Sequence, residues 1–421
     1  MSKQSVKVKK YFKKTVRVLR NEGMYSFSIK SLRKMANVIE RTGNKRGKNF
    51  IKKKKFHSIV DRRDVMLADW ANDTDKKPRV KRAPLKVTNW IISPPAGGGG
   101  HQNMFRFIEH LDKNGYTNNI YLYSAIDPMP IEEAQANVAK YATLEHTNFY
   151  YYKRGTRMAD ADAFFATGWE TAYPAFNEET NAIKFYFVQD FEPYFYSIGT
   201  EYILAENTYR FGFHGITAGN WLSKKLAADY GMKCDGYDFG ADRTVYVYKN
   251  TAPRKEVFFY ARPVTERRAF DLGIMTLEIF HELHPDYIIN LAGWDVSMYD
   301  VPFPYVNHKA LRLEELSELY SKCVAGLVLS LTNMSLLPLE LLSCGVIPVV
   351  NEGANNHDVS NNPYIEYVQP SPVSLAKAMS EIVERKDATD YAEKAAGSTA
   401  GASWDKAKEK FMKVVEAEID G

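Results

Sequence analysis

The chain reads as an α/β protein: two doubly wound parallel-sheet domains preceded by a basic, largely helical extension. Three observations lead there. Apolar runs of strand length alternate with helical segments twice, over 87–218 and again over 256–385. The stretch 323–350 spells out one unit of such a sheet. It has an apolar strand, a Thr/Asn/Ser-rich loop, a helix carrying Glu340, Gly345 as a stop, and a second apolar strand over 346–350. The charge, finally, is divided. Residues 1–86 hold 27 Lys/Arg against 7 Asp/Glu, a net of +20, and residues 87–421 hold 29 against 44, a net of −15.

In the extension (1–85), Val8, Tyr11, Phe12, Val16 and Leu19 fall at helical spacing among lysines and arginines. A helix of this kind suits an anionic membrane surface, through residues 1–60, and equally suits the acidic body of its own chain. Nucleic acid ranks third, because the Lys52–Lys55 run has no aromatic or glycine pattern beside it. Residues 69–82 are polar and lead to Pro84, a linker signature.

The first domain is expected over 86–245. A strand over 87–93 leads to a glycine-rich turn over 94–100 and a helix over 101–111. Strands over 120–124, 149–152, 162–166, 183–188 and 215–218 follow. The second domain is expected over 246–402, with strands over 256–261, 287–292, 323–330 and 346–350. Its helices are expected over 266–283, 313–320 and 371–385. An amphipathic helix over 403–418 closes the chain.

An aromatic content of 13% argues against disorder. Three cysteines (Cys234, Cys323, Cys344) with no C-x-x-C pair point to a reducing cytosol and no disulfide framework. No apolar run is long enough to span a bilayer, and the N-terminal lysines precede no secretory signal.

The residues with chemical potential lie at predicted strand ends. Gly98, Gly99 and Gly100 follow the first strand and open a helix, where backbone can approach a ligand and helix-start N–H groups favour an anion. The loop is not G-x-G-x-x-G and lacks the matching acid, so a nicotinamide cofactor is not expected. His101 stands ready to meet a ligand oxygen or to cap the helix. Asp190 and Glu192 follow the 183–188 strand among aromatics, as contacts for ligand hydroxyls or as a packed polar loop. Arg262 and Arg267 end the 256–261 strand, where two cations can neutralise a diphosphate. Gly293, in Ala292-Gly-Trp-Asp295, ends another strand. Lys309 is a third phosphate cation or a solvated lysine. The loop 353–357 belongs to the same edge.

Leu337-Pro-Leu-Glu340, followed by Gly345 and Pro348-Val-Val350, resembles the signature of retaining glycosyltransferases of family four. Ala261-Arg262 with Arg267 resembles their Gly-Arg-x4-Lys. Thr332 stands where the family has its first glutamate, Asn333 and Ser335 where it favours glycine, and Gln189 where relatives carry histidine. The resemblance implies the two-domain GT-B fold, with the closing helix (403–421) returning to the first domain. It implies Glu340 on the nucleotide ribose, and Asn333, Met334, Ser335 and Leu336 with Gly293 around the donor diphosphate. Arg262, Arg267 and Asp190 would be the catalytic set, with Lys309 as a further donor-site cation. Gly98–Gly100, His101 and Glu192 would face the acceptor. No Asp-x-Asp metal motif sits in the place the family would put one, so neither metal nor cofactor is expected. The Gln189-Asp-Phe-Glu-Pro193 segment and the Thr332-Asn-Met-Ser335 loop most resemble rhamnosyltransferases of the WsaF kind, from S-layer and surface-glycan assembly. That kinship implies dTDP-L-rhamnose as nucleotide sugar, a lipid-linked glycan acceptor and a cytoplasmic, membrane-peripheral location. The rival readings are a nucleotide-sugar epimerase of the same architecture and a non-catalytic glycan- or membrane-binding protein.

Overall fold

The computed structural model describes residues 59–72, 79–96, 98–125, 128–155 and 157–421. The helix expected around Val8–Leu19, the Lys52–Lys55 run and Gly97 lie outside the described residues.

The first sheet holds β1 (Val87–Ile92), β2 (Thr117–Leu122), β3 (Thr147–Tyr151), β4 (Ala163–Ala166), β5 (Ile183–Val188), β6 (His214–Ala218) and β7 (Cys234–Tyr237). Their order is β3-β2-β1-β4-β5-β6-β7, and every pairing is parallel. The second holds β8 (Glu256–Tyr260), β9 (Ile288–Ala292), β10 (Val306–Lys309), β11 (Cys323–Val328), β12 (Ile347–Asn351) and β13 (Glu366–Val368). Its order is β10-β9-β8-β11-β12-β13, again all parallel. Helices cover both faces of a parallel sheet, so central strands are buried throughout and read as unbroken apolar runs. β11, Cys-Val-Ala-Gly-Leu-Val, has no exposed residue.

Aromatic packing fills the first core. Trp90 on β1 stacks on Phe165 of β4 at 3.9 Å between ring centroids. The helix Trp404–Asp420, though last in sequence, packs against this sheet. Its Phe411 lies 5.1 Å from Phe107 and 5.8 Å from Phe165. In the second core the helix Phe270–Leu283 approaches β8 so closely that a Cβ on Gly273 would stand 2.1 Å from the Phe259 ring.

Three sequence expectations need correcting. The helix expected over 266–283 is broken. Glu266–Arg268 is a 3-10 turn, and Ala269 at φ +46° separates it from the helix. Its arginines therefore leave the helix start, where a cation opposes the backbone dipole. Gly99 and Gly100 form the first turn of the helix Gly99–Lys113, with Gly98 as N-cap, and are not part of a free turn. The strands β7, β10 and β13 carry too few apolar residues to be seen by periodicity. Among the described residues no helix is long and apolar enough to cross a membrane.

Candidate active site

Strand order reverses between β1 and β4 in the first sheet and between β8 and β11 in the second. A reversal of this kind opens a crevice beyond the carboxyl ends of the strands, the usual ligand position in open α/β sheets. Arg262 follows β8, the loop 330–336 follows β11, and Gln189 and Asp190 follow β5. Hydrogen bonds between Asp190 and the loop join the two sheets' edges.

Three arginines occupy the turn after β8. Arg262 donates from Nη1 to the Tyr260 hydroxyl at 3.3 Å and lies 5.9 Å from the Trp294 ring centroid. Its buried Nε has no partner among the described residues. The Arg267 guanidinium rests 4.1 Å from the Phe195 ring centroid, with Nε 3.6 Å from Asp190 Oδ2. Arg268, which sequence reading passed over, donates to Ser330 Oγ at 2.9 Å. The signal for it was present: a third cation in the same turn. Burial and the neighbouring Arg267 hold its pKa down, while Asp190 pulls it up.

The loop after β11 is held by asparagines. Ser330 N–H donates to Asn351 Oδ1 at 2.7 Å, and Asn351 Nδ2 donates back to Ser330 O at 3.0 Å. Asn356 Nδ2 adds a bond to Ser330 O at 3.2 Å. Thr332 is almost fully buried and donates to Asp190 Oδ2 at 2.9 Å. The Asn333 N–H donates to Asp190 Oδ1 at 2.9 Å. The Asn333 side chain reaches into the first domain, giving Nδ2 to Ala218 O (2.8 Å) and Gln189 O (3.1 Å). Asn333 and Met334 are therefore corrected as donor-diphosphate contacts in this arrangement. The amide of Asn333 belongs to Asp190, and that of Met334 to Asn355 O at 3.1 Å. Leu336 is the N-cap of the helix Leu337–Ser343, and the buried Ser335 hydroxyl has no partner among the described residues.

Asp190 thus sits inside a ring of donors. Burial raises its pKa, and the Asn333 amide, Arg268, Arg267 and Thr332 each pull it down. Glu192 needs a correction. Expected at the acceptor side, it is buried, and its carboxylate accepts from Trp169 N (2.6 Å) and the Tyr186 hydroxyl (3.1 Å). Burial and the neighbouring Glu170 push its pKa well above the ordinary carboxylate value. In this short 3-10 segment (Glu192–Phe195) Glu192 and Pro193 are buried, while Tyr194 and Phe195 are exposed.

On the β1 side, Gln189 Nε2 donates to Gly100 O at 3.0 Å, and Asn103 Nδ2 donates to Gln189 Oε1 at 2.9 Å. Nothing lies within 4 Å of where a Cβ would stand on Gly98 or Gly99. His101 does not cap its helix; Nε2 pairs with Ser93 O at 3.1 Å. Gly293, at φ +115°, admits no side chain, since a Cβ would meet the Tyr260 ring at 2.7 Å. Lys309 ends the edge strand β10 and pairs with Asp295 at 3.4 Å. Glu340 is half-buried beside Tyr246 and the Arg106–Asp242 ion pair, and burial pushes its pKa up to about 7, with Arg106 opposing.

Residues 109–220 match the family WsaF, N-terminal domain, and residues 255–380 match WsaF, C-terminal domain. The O-antigen biosynthesis protein RfbC of Myxococcus xanthus is 31% identical over 285 residues, covering 65% of this chain. The matched stretch is 22% of that protein's length. Solved structures share the fold, three of them as follows. HepE of Anabaena, solved with UDP and glucose, gives a TM-score of 0.59 at 12% identity over 79% of this chain and 99% of its own. WaaG, a glycosyltransferase of lipopolysaccharide biosynthesis, gives 0.57 at 10% identity over 78% and 99%. A UDP-N-acetylglucosamine 2-epimerase of Listeria monocytogenes gives 0.52 at 8% identity over 80% and 97%. The two WsaF domain matches fall one on each sheet and together cover more than half of the residues: the chain belongs to the WsaF family and has the two-sheet fold of the GT-B glycosyltransferases.

Proposed function

We propose that this chain transfers L-rhamnose from dTDP-L-rhamnose to a lipid-linked glycan acceptor in surface-polysaccharide assembly, with retention of anomeric configuration. The observation that carries the reading is the cluster of Arg262, Arg267 and Arg268 at the strand reversal of the second sheet. Arg262 Nε and the Ser335 hydroxyl are left there without partners. Buried unpaired donors are costly unless a ligand meets them, and arginine forks suit phosphate. The departing nucleoside diphosphate takes the electron pair of the broken C1–O bond. The acceptor oxygen forms the new bond on the same face, and its proton passes to a diphosphate oxygen. The arginines neutralise that leaving group with no metal cofactor, so EDTA should leave turnover unchanged. Asp190 acts as a positioning residue, aligning Thr332, Asn333 and Arg267. Glu340 accepts from the hydroxyl of the nucleotide sugar ring. The choice of rhamnose rests on kinship with WsaF and the resemblance of the 189–193 and 332–335 segments.

The work is cytoplasmic in this reading, and the basic extension, net +20 over residues 1–86, holds the enzyme on anionic lipid. Sedimentation with anionic vesicles at low salt, and release at high salt, would support that part. No binding at low salt would remove it.

The test of the reaction incubates the purified full chain with dTDP-rhamnose, UDP-glucose and GDP-mannose, with and without rhamnosyl glycosides. A parallel thermal-shift series uses dTDP, UDP and GDP. A ligand of the folded state at 100 times its Kd should stabilise it by about 2.7 kcal/mol. Transfer from dTDP-rhamnose with dTDP as the stabilising nucleotide is the expected result. The epimerase neighbour supplies a second reading, in which an isomerised nucleotide sugar forms without any acceptor. No turnover of any nucleotide sugar would overturn both.

A further inference from the structure

A second cavity lies on the carboxyl edge of the first sheet, on the far side of the glycine loop from Asp190. It encloses about 600 Å³, within the roughly 300–1,000 Å³ typical of small-molecule sites. Its walls come from the ends of β2 and β3 and from the segment just before the first domain. Tyr151, Tyr152 and Met129 supply apolar surface, and Asp61, Tyr123 and Arg154 supply polar groups.

The polar wall is rigid. Asp64 is fully buried and accepts from Arg154 Nε at 2.5 Å and from the Tyr123 hydroxyl at 3.2 Å. The same hydroxyl accepts from the Asp61 N–H at 2.6 Å. Arg154 Nη2 pairs with Asp61 at 2.7 Å, and the guanidinium and the Asp61 carboxylate both remain partly exposed. A neighbouring donor and acceptor fixed side by side, in a cavity also lined by Tyr151 and Tyr152, match a sugar ring. Vicinal hydroxyls take the fork and the carboxylate, and the C–H face takes the aromatic surface.

The position points to the same conclusion. Pro94, directly after β1, lines the cavity, and the same loop runs on to Gly98–Gly100. Gly100 O is bonded to Gln189, whose own carbonyl accepts from Asn333. The cavity and the proposed transfer site are therefore two stops along one edge, separated by the open Gly98–Gly99 surface.

The geometry points to this cavity as a remote subsite for a sugar residue of the growing acceptor glycan, which would register an oligosaccharide against the transfer site. It rests on the transferase reading for its role, though not for its binding. The probes are methyl glycosides of rhamnose, glucose, galactose and N-acetylglucosamine and their di- to tetrasaccharides. Binding is read from the 13C-methyl signal of Met129 in the full chain, assigned by Met129→Leu. At least one oligosaccharide should shift that signal at millimolar concentration, and Tyr151→Ala should abolish the shift. Tyr151→Ala should also raise KM at least tenfold for a tri- or tetrasaccharide acceptor and less than twofold for a monosaccharide glycoside. Asp61→Asn should do the same, and both variants should keep wild-type dTDP binding. If no probe moves Met129, or if KM changes equally for short and long acceptors, the subsite is wrong. If oligosaccharides bind but no donor is turned over, the subsite stands and the transferase reading falls.

Discussion

The loop after β5 and the loops after β8 and β11 meet across the interdomain edge, and they treat their polar atoms in opposite ways. On the β5 side the acids are satisfied by protein. Glu192 is turned onto Trp169 N and Tyr186, and Asp190 is ringed by Asn333, Thr332 and Arg267. On the other side Arg262 Nε and Ser335 Oγ lack partners. Two equally satisfied walls would make an ordinary interface. One satisfied wall facing one that still wants an acceptor makes a place for an anion. The acids beside a cleft are thus not its general bases by default. Here Asp190 holds the cationic wall in position, and Glu192 holds the start of the Trp169 helix.

The strongest way to break that comparison is to remove the residue joining the walls. Asp190→Ala leaves Arg267 and Arg268 without their carboxylate and two donors without acceptors. Breaking a buried pair of this kind costs about 3 kcal/mol of folding stability, read as a lower urea midpoint, and kcat/KM should fall as the cationic wall loses its anchor. Asp190→Asn keeps the shape and should fall between that variant and wild type. Full activity in Asp190→Ala, measured by initial rates, would mean that the two walls are independent.

The unsatisfied wall is tested next. Arg262→Ala should leave thermal stability near wild type. A charge-assisted hydrogen bond contributes about 1.5–3 kcal/mol, so nucleotide affinity should drop at least about tenfold. Calorimetric titration with dTDP reads this directly. Unchanged affinity would take Arg262 out of the site.

How far the sequence carried can be judged from these same residues. The β8 and β11 strands and the helix carrying Glu340 were legible because buried parallel strands are continuous apolar runs. That Arg262 and Arg267 follow the β8 strand was legible because the strand's apolar run ends just before them. The fate of Asn333, Glu192 and Asp190 was not legible. It depends on which atoms face them from segments over a hundred residues away, or from aromatic packing around a 3-10 turn. No periodicity encodes that. The break at Ala269 was hidden for a related reason: residues 266–283 are good helix formers, and only the contacts of Arg267 and Arg268 favour the interruption.

Glu340 sharpens the comparison through pH. Burial raises its pKa to about 7 in the free protein, above the ordinary value of 4.5. The folded state therefore holds a proton that the unfolded state has released, so this group makes the free protein lose stability as pH rises from about 4.5 to about 7, with no further change above. Ligand binding runs the other way. An acceptor for a sugar hydroxyl works best ionised, so dTDP affinity should fall as pH drops below 7. At pH 6 the ionised fraction alone gives a loss of up to about tenfold relative to pH 8. Glu340→Gln should be weaker at pH 8 and lack this component of the pH dependence, and comparing the two proteins cancels titration of the phosphate itself. Parallel pH curves for wild type and variant would remove Glu340 from nucleotide binding.

The smallest effect is expected at Glu192, and it decides what the satisfied wall is for. If Glu192 only holds the Trp169 helix start, then Glu192→Gln keeps an oxygen for Trp169 N–H and for the Tyr186 hydroxyl. It also removes the repulsion with Glu170. Acceptor KM and kcat should both stay within about twofold of wild type, since nothing in the transfer site has moved. Glu192→Ala leaves the Trp169 amide without an acceptor in a buried place and should cost about 1–3 kcal/mol of stability, read as a lower urea midpoint at unchanged slope. Near-wild-type kinetics in Glu192→Gln with a destabilised Glu192→Ala would confirm an inward, structural acid. A large rise in acceptor KM for Glu192→Gln, with stability unchanged, would return Glu192 to the acceptor side and make both walls of the cleft functional.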